Sequence, residues 1–149
     1  MKARIGFSSV LGTDYMEDLE MLLFFNPQQG RTLSAINDSI KDYGIPHIYV
    51  EEGHLRVGLK DLPGTQTLFA LEDTLDRPEL VGVMVFHRVD VETIVLLHIA
   101  VRQEYSRYGS RADAGLVSRM IAELRGVARK LKGVRSIQLT YLKGVAFPV

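Results

Sequence analysis

The strongest pattern of apolar and polar positions lies in the second half of the chain. Ile94-Val95-Leu96-Leu97-His98-Ile99-Ala100-Val101 is apolar at every position but one. A strand with apolar side chains on both faces is covered on both sides, so this run predicts a central strand over about 93–101. A basic, polar turn follows from Arg102 to Arg111. The period then changes to that of a helix: Leu116, Met120, Leu124, Val127 and Leu131 share one stripe, with Arg119, Glu123, Arg125 and Lys130 off it. The spacing predicts a helix over about 112–131 that buries Leu116, Met120, Leu124 and Leu131 against the sheet.

The remaining elements are read in the same way. Residues 3–10 predict a first strand. Asp14, with Glu17 three residues on, has the form of a capping box for a helix whose stripe is Leu19, Leu22 and Leu23, stopped by Asn26-Pro27. Thr32 is placed to cap a second helix on the face of Leu33, Ile36, Ile40 and Tyr43, ended by Gly44 and Pro46. The middle of the chain reads as strands. Residues 47–50 and 55–59 flank Glu51-Glu52-Gly53-His54 as a hairpin, and 67–71 and 80–86 follow, the latter pairing with the central strand through Val89-Asp90. Val134 to Tyr141 is the last strong strand. Short strands mixed with helices, with no repeat or linker, predict one α+β domain spanning 1–149.

Composition narrows the functional classes. With 46% hydrophobic and 24% charged residues the chain is globular, and at 149 residues it is long enough for a proper core. A formal net charge of zero offers no global attraction for nucleic acid. The absence of cysteine removes disulfides, a thiolate nucleophile and cysteine zinc sites. His47, His54, His87 and His98 show no metal-ligand spacing, so no metal is expected. No apolar run of membrane-spanning length and no leader-like segment is present, which points to a cytoplasmic protein with no membrane partner.

A strand, a polar turn and a helix N-terminus together form an anion site, because the first helical N–H groups lack partners and the peptide dipoles add there. Arg102, Arg107 and Arg111 add full charges at the same end. The run Leu97-His98-Ile99-Ala100-Val101-Arg102-Gln103-Glu104-Tyr105, with its Arg/Gly turn and helix, resembles the acetyl-CoA segment of GCN5-related N-acetyltransferases (GNAT). In that family a strand ending in Ala-Val leads into a loop of pattern Gln/Arg-x-x-Gly-x-Gly/Ala, whose backbone amides hold the CoA pyrophosphate. Two alignments of the loop stay open. One places Ser106, Gly109 and Arg111 on the motif; the other places Arg107, Ser110 and Ala112 there. The resemblance covers about residues 80–141.

The resemblance implies a GNAT-like twisted mixed sheet with helices on both faces, here shortened at the C-terminus. It implies acetyl-CoA as co-substrate and a small-molecule or peptide amine as acceptor. The cofactor residues would be Ile99, Ala100, Val101, Arg107, Tyr108, Gly109, Ser110, Arg111 and Ala112. The catalytic carboxylate that some members carry on the central strand falls near Val95, which is apolar. His98, Glu92, Glu104 and Tyr141 are the remaining candidates for proton transfer. The alternative is a non-catalytic member of the same fold serving as a ligand-binding, regulatory or oligomerisation module. A sheet ending near Tyr141 would leave an open edge beside the apolar tail Val145, Ala146, Phe147 and Val149. A two-fold homodimer is therefore expected, with the tail packed on its own sheet or the neighbour's; the alternative is a monomer whose tail folds back on its own domain.

Overall fold

A computed structural model of the chain describes residues 4–24, 46–60, 62–105, 109–112, 115–139 and 146–149. Its elements in chain order are strand β1 (Ile5–Ser8), helix α1 (Met16–Phe24), strands β2 (Pro46–Glu51), β3 (His54–Leu59), β4 (Gln66–Glu72), β5 (Glu79–Arg88) and β6 (Thr93–Val101), helix α2 (Leu116–Arg129), and strands β7 (Ser136–Leu139) and β8 (Ala146–Pro148). Six strands form one mixed sheet in the order β1-β4-β5-β6-β7-β8, while β2 and β3 pair separately. The β2–β3 link is the two-residue turn Glu52-Gly53, both at positive φ, which matches the twist of a hairpin.

The apolar run becomes β6, in the interior of the sheet, with antiparallel β5 on one side and parallel β7 on the other. A parallel neighbour needs a crossover connection, which α2 supplies. Side chains on β5 and β6 divide between two cores. Met84, Phe86, Ile94 and Leu96 pack with Leu116, Met120, Leu124 and Ala128 of α2. Val83, Val85, Val95 and Leu97 pack with Leu19, Leu22 and Leu23 of α1 and with Leu55 and Val57 of β3. The fold is thus α+β, with a helix on each face of the sheet.

The β5–β6 register slips once. Val85 lies opposite His98 but Phe86 opposite Leu96, so Leu97 is an extra residue in β6. Such a bulge shifts the alternation of faces by one position. His98 consequently shares the face of its cross-strand partner Val85, on the α1 side.

Several expectations are corrected. Helix α2 begins at Leu116 rather than near 112, because Gly115 holds a left-handed conformation (φ 60°, ψ 42°) that an L-residue adopts only with strain and that interrupts the helix. Its buried row is Leu116, Met120, Leu124 and Ala128; Leu131 lies past the helix end and packs on the core only partly. Asp14 does not cap α1 through a side-chain bond. It sits inside the 3-10 turn Thr13–Tyr15, with its carboxylate 2.5 Å from Arg77 Nη1. The sheet does not stop at its seventh strand: the tail returns as β8 and pairs antiparallel with β7, Ser136 opposite Pro148. The outer edge of β7 is thus paired by the chain's own tail. The second helix expected at 32–43 lies outside the described residues.

Candidate functional site

The bulged end of β6 and the turn that follows lie beside the start of α2. Arg102 closes the strand, its N–H donating to the Val81 carbonyl (2.9 Å). Its guanidinium pairs with Glu79 (3.2 Å) and Glu104 (3.4 Å) at the surface. The chain then turns through the 3-10 segment Gln103–Tyr105, which buries Tyr105 in the α2-side core. Arg107 and Tyr108 lie outside the described residues. Gly109 folds back so closely that a Cβ there would run into the carbonyl oxygens of Gln103 and Glu104, so no other residue fits this backbone path.

Two of the loop amides expected to face a phosphate are engaged within the loop. The Arg111 N–H donates to the Glu104 carbonyl (2.6 Å), that of Ala112 to Gly109 (3.2 Å), and that of Gly115 to Ala112 (3.2 Å). The amides of Leu116, Val117 and Ser118, at the true start of α2, have no acceptor among the described residues. That first turn holds no acidic residue. The positive helix end therefore lies four residues later than the spacing suggested.

Arg111 is not a free cation. Its Nη1 donates to the carboxylate of Glu72 and to the Tyr105 hydroxyl (2.8 Å), tying the loop to the end of β4. Glu72 is only 8% exposed. The guanidinium neutralises a carboxylate that burial would otherwise penalise. Burial pushes the Tyr105 phenol above its ordinary value, and Glu72 pushes in the same direction while Arg111 opposes it. The hydrogen bond from Arg111 to Tyr105, with Glu72 next, holds the guanidinium even more firmly protonated. Nothing in the sequence links positions 72 and 111; only the sheet brings them together.

Of the proton-transfer candidates, Tyr141 lies outside the described residues. Glu92 is at the far end of β6, exposed and 3.8 Å from Arg135 Nε. Six residues of extended chain, about 20 Å, separate it from His98. Glu104 is taken up by Arg102. His98 differs from both. The residue is half-buried as a whole, yet Nε2 has no accessible surface and no hydrogen-bond partner among the described residues. Burial lowers its pKa from 6.5 to about 4, so the imidazole is neutral at physiological pH. The strand residues Ile99, Ala100 and Val101 lie opposite Met84, Val83 and Gly82 of β5.

Among the described residues no group of three or more His, Asp or Glu could hold a metal ion, and no helix is long and apolar enough to cross a membrane. No protein-family model, curated protein or solved structure matches the chain.

Proposed function

We propose that the protein has the GNAT fold, binds an acyl-CoA along the C-terminal half of β6, and transfers the acetyl group to an amine. One observation carries the reading: a bulged interior strand runs through a polar turn into a helix whose first amides have no acceptor among the described residues, and which crosses over to a parallel strand. The amides of Leu116, Val117 and Ser118 offer a phosphate the donors that Arg111 and Ala112 have already used. Main-chain donors near Ile99 to Val101 are the groups to polarise the thioester carbonyl. The amine nitrogen attacks that carbon, the C–S bond breaks, and the amine proton passes to a base while the thiolate leaves and is protonated. His98 is the base this reading favours, because its imidazole is neutral and its Nε2 has no hydrogen-bond partner among the described residues.

A second reading, a non-catalytic module of the same fold, is favoured by the Arg111–Glu72–Tyr105 cluster, which fastens the loop as a structural clasp. Titration calorimetry and thermal shift with acetyl-CoA and CoA, followed by transfer to a panel of polyamines and peptides, separate the two. Acetyl-CoA at a hundredfold excess over its dissociation constant stabilises the protein by ~2.7 kcal/mol. Binding without transfer supports the module; an unmoved melting temperature at saturating CoA rejects the acyltransferase.

A further inference from the structure

Strand β1 is the outermost strand of the main sheet and pairs only with β4 among the described residues. The Asp73 N–H donates to the Arg4 carbonyl (2.9 Å), which fixes the phase of the ladder. Arg4, Gly6 and Ser8 turn their main-chain groups toward β4, and Ile5 and Phe7 turn theirs outward. No acceptor or donor meets the outward pair among the described residues. Isolated edges of this kind are usually blunted by charge, proline or a bulge. Ile5–Ser8 has none of these, and its register with β4 is unbroken.

A groove of about 680 Å³ runs along this edge, lined by all of residues 4–8. Leu71 and Pro78 give it apolar walls beside the strand, and Arg119 overhangs it from the first turn of α2. Arg4 and Arg119 are both exposed, and neither has a carboxylate partner among the described residues. Asp73 is the single carboxylate among the described residues that line the groove, and beside it two guanidinium groups leave that lining net positive in a chain whose formal charge is zero.

We infer that this groove receives an extended acidic peptide, which adds a strand to β1. The outward N–H and C=O groups of Ile5 and Phe7 supply the ladder, and alternate acidic side chains meet Arg4 and Arg119. The ladder is formed by β1 and not by the β6–α2 turn, so the inference does not require that the protein bind CoA.

The test uses the full chain and a fluorescein-labelled, end-capped octapeptide of alternating threonine and glutamate. A threonine–lysine octapeptide and a threonine–glutamate version N-methylated at alternate amides serve as comparisons. Saturable anisotropy with the acidic peptide, absent with the other two, is the expected result. Arg4→Glu combined with Arg119→Glu should weaken the acidic peptide at least tenfold and create binding of the lysine peptide, a gain that an unfolded variant cannot show. The inference is overturned by absent saturable binding, or by equal binding of the N-methylated peptide, which would leave charge alone. It is also overturned by a sedimenting dimer that the acidic peptide cannot dissociate, which would make a second copy the occupant.

Discussion

His98 shows how one residue's surroundings set its chemistry. An imidazole on a bulged interior strand cannot easily hold a charge, so its folded pKa lies below the 6.5 of an unfolded chain, at about 4. Between those values the unfolded chain takes up a proton and the folded chain does not. The stability His98 permits is therefore fully present above pH 6.5 and is lost as pH falls toward 4. By linkage the loss is up to about 3 kcal/mol. Urea unfolding of the parent and of His98→Leu, compared between pH 7 and pH 4.5, checks it: the parent should lose more stability than the variant by most of that amount. Equal losses would mean that His98 is solvated. The residue's apolar neighbours were plain in the sequence, but the bulge that turns its ring toward α1 was not, because a bulge depends on the pairing of two strands.

At the scale of the element, α2 rests on its buried row. Leu124 is 0% exposed, whereas Val117, at the start of the helix, is 38% exposed. Leu124→Asp places an unpaired carboxylate among apolar side chains and should cost upward of about 3 kcal/mol. Val117→Asp adds a negative charge in the first helical turn, where the dipole favours it, and should leave stability within about 0.5 kcal/mol of the parent or raise it slightly. Thermal or urea melts of the two variants decide the matter, and similar melting of both would contradict the packing described. The stripe Leu116, Met120 and Leu124 was legible because helical period and burial coincide there. The helix start was not, because Ala112 belongs to a turn whose path is set by Gly109 against the Gln103 and Glu104 carbonyls and by the left-handed Gly115.

In the whole molecule, the last residues matter more than their number suggests. β8 covers the outer edge of β7, Val149 packs against the α2-side core, and the Val149 N–H donates to the Arg135 carbonyl (3.0 Å). Deleting residues 146–149 removes that cover and should lower stability by roughly 1–3 kcal/mol, about the burial of one larger apolar side chain. It also bares β7, whose unpaired main chain would pair with another molecule. Sedimentation velocity at several concentrations should show the truncated protein associating more than the parent. A truncated chain that melts and sediments like the parent would mean that β8 contributes nothing.

The order of elements from β2 to β7, the interior position of β6, the hairpin at Glu52-Gly53 and the inward rows Leu19, Leu22, Leu23 and Leu116, Met120, Leu124 were determined by the sequence alone. Each rests on local period and turn chemistry, which act over a few residues. The tertiary structure alone decided what depends on distant partners. Arg111 joins Glu72 and Tyr105 rather than standing open to an anion, and the helical amides with no acceptor among the described residues are those of Leu116 to Ser118. The tail closes its own sheet, and β1 is left with outward main-chain groups beside Arg4 and Arg119. Ion pairs and sheet edges join residues far apart in the chain, and only strand order brings them within reach.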